Sequence, residues 1–233
     1  MAIQGVLFDL GNTLVSYYQA KDFNPILRKI IKQCCRSLAD TGICFDEQSV
    51  FEKAKELNKE RPDLAVYPLA DRLQLLFGQE MVLSTQQIND LIDEFMKPIF
   101  SAAKVDTAAV PLLQALRRMG IKTGILSNTP WGCPSELWYS ELKRHDLADN
   151  IDLALFCVDV GWRKPAKIIF NTALQKLGLA AQDTIYVGDD PCWDIEGARN
   201  AGLTPVLLTR DKVPLNIEVA TIKSLEEVLL LVN

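Results

Sequence analysis

Ile3-Gln4-Gly5-Val6-Leu7-Phe8-Asp9-Leu10-Gly11-Asn12-Thr13-Leu14 begins as an apolar run and ends on a carboxylate and a glycine. Val6, Leu7 and Phe8 in succession predict a short buried strand, and Gly11 with Asn12 predicts the turn that leaves it. Asp9 therefore falls at a strand's carboxyl end, which is where open α/β sheets bind their ligands. A carboxylate fixed there can serve as nucleophile, base or metal ligand.

Working outward, the same pattern recurs beyond Gly120. Ile121 to Leu126, Ile151 to Phe156, Thr184 to Val187 and Thr204 to Leu208 are short runs of β-branched and aliphatic residues, each of strand length. Helical spacing separates them: about Thr107 to Met119 carries Leu112, Leu113 and Leu116 on one face and stops at Gly120. About Ala166 to Leu177 carries Ile169, Phe170, Ala173, Leu174 and Leu177 and stops at Gly178. Ser224 with Glu227 spells a capping box for a final helix. Alternating β and α units imply an α/β fold with a parallel sheet covered on both faces. Between the first strand and the helix near 107 the character changes. Asn24 to Leu38, Asp46 to Lys59, Leu69 to Phe77 and Thr85 to Phe100 show helical spacing, and no convincing strand interrupts them. The expected organisation is a core of 1–15 and 106–233 with a helical insertion over 16–105, joined by two connections that permit hinge motion.

With 233 residues, 48% hydrophobic and 24% charged, the chain is long enough to bury a sizeable core. A net charge of −5 argues against nucleic acid as a partner. Six cysteines without CxxC spacing and a single histidine, His145, argue against zinc. No leader pattern is visible, and the apolar run Val228 to Val232 is far short of the ~20 residues that span a bilayer. The expectation is a cytoplasmic protein with free thiols and no membrane partner; oligomeric state is not legible.

Four strand ends carry polar groups in order. Asp9 is the first. Ser127 and Asn128 follow Ile125-Leu126 and can hydrogen-bond an anion's oxygens. Arg163-Lys164-Pro165 puts a cation at the head of a helix. Gly188-Asp189-Asp190, with Asp194 close behind, crowds carboxylates that repel one another unless a cation or water screens them. Each signal taken alone has a plainer reading: turn chemistry for Ser127-Asn128, a solvated charge for Lys164, a helix cap for Asp194. Their order along one sheet carries the weight.

That order resembles the haloacid dehalogenase (HAD) superfamily, most of whose members are magnesium-dependent phosphatases. FDLGNTL at 8 to 14, LSNT at 126 to 129, RKP at 163 to 165 and VGDDPCWDIEGARNAG at 187 to 202 are similar to its four motifs, and the insertion is similar to its C1 cap. The resemblance implies a Rossmann-like core and makes Asp9 the nucleophile of an aspartyl-phosphate. Ser127 and the Asn128 backbone would hold the phosphoryl group, and Lys164 would offset charge between it and Asp9. Mg²⁺ would be bound by Asp189 with the Asp9 side chain and the Gly11 carbonyl, with Asp190 and Asp194 acting directly or through water. The expected substrate is a small phosphorylated metabolite.

One departure matters. Members of the superfamily that are phosphatases carry a second Asp two residues after the nucleophile, as general acid and base; here that residue is Gly11, followed by Asn12 where Gly is usual. Such a group is typically worth ~10²–10⁴-fold in rate. Three readings stay open: a phosphatase whose acid comes from elsewhere, for instance Asp22, or whose leaving group needs none; a phosphate- or partner-binding protein without turnover; and a metal-independent haloacid dehalogenase. His145 is expected on a solvated helix face, Cys133 and Cys192 are expected to be incidental, and Trp131, Trp162 and Trp193 are expected to pack.

Overall fold

A computed structural model of the chain describes residues 2–18, 20–78, 82–210 and 218–232. The chain divides into two compact units, one of 1–16, 105–129 and 135–233, the other of 17–104 and 130–134.

The first unit is built on six parallel strands in the order β5-β4-β1-β6-β7-β8. These are β1 (Gly5–Phe8), β4 (Lys122–Ser127), β5 (Leu153–Phe156), β6 (Thr184–Gly188), β7 (Thr204–Leu208) and β8 (Ala220–Ile222). β1, β4 and β6 have nearly every residue buried, as expected for strands with helices on both faces. In chain order the helices around them are α5 (Ala109–Arg118), α6 (Ser135–Arg144), α7 (Cys157–Val160), α8 (Lys167–Leu177), α9 (Gly197–Asn200) and α10 (Val228–Leu231). β1 lies between β4 and β6, with Phe8 opposite Ile125 on one side and Val187 on the other. The strand order reverses direction at β1, so the carboxyl ends of β4, β1 and β6 form the switch point of the sheet. Two short strands, β2 (Val15–Ser16) and β3 (Lys104–Val105), form a separate pair.

The second unit holds α1 (Phe23–Ala39), α2 (Glu47–Leu57), α3 (Leu69–Phe77) and α4 (Thr85–Ser101). α4 starts on a full capping box, Ser84 with Gln87, and α1 turns Leu27, Ile30, Ile31, Cys34 and Leu38 into the interior. At its centre Arg72 is fully buried. Its guanidinium donates to the Leu57 carbonyl at 2.5 Å and the Tyr67 carbonyl at 3.3 Å, pairs with Glu60 at 3.1 Å, and lies over the Tyr67 and Trp131 rings. Trp131 also packs on Phe95, centroids 5.0 Å apart. It reaches that place through a left-handed backbone, φ 56°, a conformation rare for a bulky side chain. Gly132 follows with φ 67°, and a Cβ there would come within 2.2 Å of the Tyr67 carbonyl oxygen, so only glycine fits. Pro130–Pro134 thus belongs with the helices, although the elements on either side of it in the chain, β4 and α6, lie in the first unit.

The sequence-based elements survive with shifted ends. The tail differs: Ser224 makes no side-chain cap bond, and Glu227 reaches instead to the Lys223 amide at 3.2 Å, because the helix there is barely a turn long. None of the six cysteines is in a disulfide. Among the described residues no helix is long and apolar enough to cross a membrane.

Candidate active site

The ends of β1, β4 and β6 bring their polar residues into one buried cluster. Asp9 is 7% exposed, Lys164 2% and Asp194 1%. Asp9 leaves β1 with its amide still in the sheet, donating to the Val187 carbonyl at 2.9 Å. Ser127 Oγ donates to Asp9 Oδ1 at 2.8 Å, and Lys164 Nζ donates to the same oxygen at 2.7 Å. Lys164 Nζ also reaches Asp194 Oδ1 at 2.6 Å and Tyr186 Oη at 2.9 Å.

How the chain delivers each group is local. Asn128 clamps the backbone of Lys164 from both sides: its Oδ1 accepts from the Lys164 amide at 2.8 Å and its Nδ2 donates to the Lys164 carbonyl at 3.2 Å. Both ends of that side chain thus brace the lysine's backbone. Asp190 caps the π-helical turn Pro191–Glu196, accepting from the Cys192 and Trp193 amides at 2.8 and 2.7 Å. The turn swings Asp194 back over the end of β6, where its Oδ2 accepts from the Asp190 amide at 3.0 Å. A Cβ on Gly188 would lie 2.4 Å from Asp194 Cγ, so the close approach requires glycine. Gly11 pairs in a bridge with Val15, and a Cβ built on it meets nothing within 4 Å.

The electrostatics follow from burial. Removal from water pushes Asp9 up to about 7, with Lys164 pulling it down and Asp194 and Asp189 adding to the rise. Burial also works against the Lys164 ammonium, but Asp194 and Asp9 outweigh it and hold the group above its ordinary value. Burial, then Asp194 and Asp9, keep the Tyr186 phenol far from ionising.

Asp9, Asp189 and Asp194 each offer a carboxylate oxygen, and these lie within 4.8 Å of one another. With all three ionised, Lys164 offsets one negative charge and two remain, an arrangement that favours a divalent cation. The donors are hard oxygens, and ligand oxygens around octahedral Mg²⁺ lie about 3–4 Å apart, so small side-chain adjustments close the set. The donor set fits Mg²⁺. Asp190 is not one of the three.

Tyr186 is the member that sequence reasoning missed; the signal was a hydroxyl inside an aliphatic strand, which demands a buried partner. Arg163, which precedes Lys164 in the chain, is also buried and donates to the Thr129 carbonyl at 2.9 Å. Asp22 sits at the head of α1 in the helical unit. His145 is not solvated as expected: it pairs with the buried Glu141 at 2.9 Å. Of the tryptophans expected to pack, Trp131 is buried, whereas Trp162 and Trp193 are 37% and 46% exposed. Cys133 is buried and Cys192 exposed.

Residues 3–202 match the haloacid dehalogenase-like hydrolase family. A glyceraldehyde 3-phosphate phosphatase of Methanocaldococcus jannaschii is 24% identical over 90% of this chain and 86% of its own length. A ribulose-1,5-bisphosphate 5-phosphatase of Halopiger xanaduensis is 28% identical over 87% and 83%. Among solved structures, a 2-haloacid dehalogenase from Pseudomonas syringae superposes with a TM-score of 0.72 at 20% identity, covering 97% of this chain and 96% of that one. An identity that low speaks to the fold alone.

Proposed function

The chain belongs to the haloacid dehalogenase-like hydrolase family, and from that premise we propose that it is a Mg²⁺-dependent phosphoric monoester hydrolase acting on a small phosphorylated metabolite through Asp9. The observation that carries this reading is the Asp9–Asp189–Asp194 cluster, in which Asp9 and Asp194 share one ammonium. A haloalkanoate needs no such concentration of negative charge, whereas a phosphate dianion approaching a carboxylate needs a cation to shield it. The relatives named for glyceraldehyde 3-phosphate and ribulose-1,5-bisphosphate support the same substrate class.

Asp9 would attack phosphorus in line, forming a carboxyl–phosphoryl bond as the ester P–O bond breaks; water would then cleave the acyl phosphate and restore Asp9. Ser127 and Lys164 fix the nucleophile, both bonding Oδ1, which leaves Oδ2 as the attacking oxygen. Lys164 and the Asn128 backbone would hold the transferring group. Mg²⁺, when bound, supplies the charge stabilisation that three carboxylates and one lysine lack. Gly11 supplies no proton to the leaving group, so substrates with acidic leaving groups should turn over best. The helical unit would act as the cap that selects among them.

A panel of phosphate esters with and without Mg²⁺ tests this. Aryl and acyl phosphates are expected to outpace alkyl phosphates, and a chelator is expected to stop both. Tight binding of a phosphate analogue with no turnover on any ester would make the chain a phosphate-binding relative. Chloride release from a 2-haloacid in the presence of chelator would make it a dehalogenase.

A further inference from the structure

The Lys164 ammonium has three N–H donors and no lone pair, and three oxygens surround it: Asp9 Oδ1, Asp194 Oδ1 and Tyr186 Oη. Every donor is used. Because lysine only donates, Tyr186 Oη must be accepting, and its own proton has to go elsewhere. The Leu126 carbonyl at 2.9 Å and Asp194 Oδ1 at 3.1 Å are the oxygens in reach. Leu126 immediately precedes Ser127, whose hydroxyl holds Asp9. One phenolic oxygen therefore ties the end of β4, the lysine and Asp194 together, while the ring is held edge-on by Phe170 at 5.1 Å. Gly197 sits against Phe170 so closely that a Cβ there would lie 2.7 Å from its ring.

We propose that Tyr186 is a positioning residue that occupies one Lys164 donor, so that with Asp194 holding a second, the third is aimed at Asp9 and the group arriving there. The consequence is directional. An ammonium in a cluster of carboxylates can turn toward any of them, and a lysine that turns from Asp9 shields the reaction less well. Removing the hydroxyl keeps the charge, and with it ground-state binding of an anion, but releases the aim.

The proposal rests on the phosphoryl-transfer reading for its kinetic consequence only. Tyr186→Phe, assayed with Mg²⁺ and an aryl phosphate, is expected to lower kcat by roughly tenfold with KM within about twofold, the size expected for a hydrogen bond to a charged group. A variant that had merely lost stability would show an unchanged kcat per folded molecule, and that result overturns the idea. A second measurement needs neither turnover nor a variant. With ¹⁵N-labelled lysine, the Lys164 ammonium of the unaltered protein is expected to give a slowly exchanging resonance with cross-peaks to the Tyr186 ring protons. A rapidly exchanging ammonium, or no contact to that ring, overturns it. If the unaltered protein cleaves no phosphate ester while the cross-peaks are present, the functional reading fails and the positioning role stands.

Discussion

Lys164 in the first unit and Arg72 in the second are both buried long cations, and the two are held in opposite ways. Lys164 is surrounded by two carboxylates and a phenol, whereas Arg72 is surrounded by backbone carbonyls, the Glu60 carboxylate and the faces of two aromatic rings. Carbonyls and rings satisfy a guanidinium without accumulating charge, so Arg72 joins chain segments and leaves nothing over. The lysine's cluster retains more negative charge than it can neutralise, so it stays ready to receive a cation or an electrophile. Burial of a charge thus reads as scaffold or as chemistry according to whether its partners close the balance.

The largest effect should come from the charged cluster. Asp9→Asn is expected to reduce phosphate release from an aryl phosphate by ~10³-fold or more, since no nucleophile remains, while thermal unfolding without metal stays within a few degrees of the parent. A variant that kept a tenth of the activity would remove Asp9 from the reaction. Arg72→Ala should behave in reverse. Urea unfolding is expected to show a loss of about 3–5 kcal/mol, the penalty for breaking a buried ion pair, with kcat per folded molecule little changed. If kcat fell with stability untouched, the division between scaffold and chemistry would be wrong.

A smaller change should sharpen the picture at Gly11. Its backbone is free of the left-handed region and a side chain there meets open space, so Gly11→Asp is expected to fold and to raise alkyl phosphate turnover by roughly tenfold or more, with little change in the Mg²⁺ concentration needed. No gain in the alkyl rates would mean that proton delivery already has another source.

The smallest effect concerns pH. Asp9 titrates near 7 in the folded, metal-free protein and near 3.8 when unfolded. Between those values the folded state holds the extra proton, so this group's contribution to stability falls as pH rises from about 4 to 7 and stays low above. Lys164 is raised, so its contribution is constant throughout that window and is lost only far above it. A divalent ion needs Asp9 ionised. The rise in unfolding temperature on adding Mg²⁺ is therefore expected to be larger at about pH 8 than at about pH 5; equal shifts at both would show that Asp9 takes no part in binding it.

How much of this was legible in the sequence depends on distance along the chain. Val6-Leu7-Phe8 and Thr184-Ile185-Tyr186-Val187 announce buried strands because every residue meets a helix layer, and the polar residues that follow are visible simply by ending an apolar run. β8, with Ala220 and Thr221 exposed and only Ile222 buried, has no such signature, and β2 and β3 are too short for any period to show. Tyr186 looked like one more large strand residue because its hydroxyl's partners, Lys164 and Leu126, are remote in sequence. Trp131 was legible as a packing residue but not as a member of the helical unit, since its neighbours Phe95 and Arg72 carry no local trace of it.

That last placement has a bearing on how such a molecule can be re-engineered or diversified. A helical cassette cut at residues 17 and 104 and exchanged for another would leave behind Pro130–Pro134, with an indole shaped to a vanished aromatic partner and a glycine moulded to a vanished carbonyl. Transplants along this lineage should succeed only when the pentapeptide travels with the cassette, which makes two distant stretches of sequence a single heritable module.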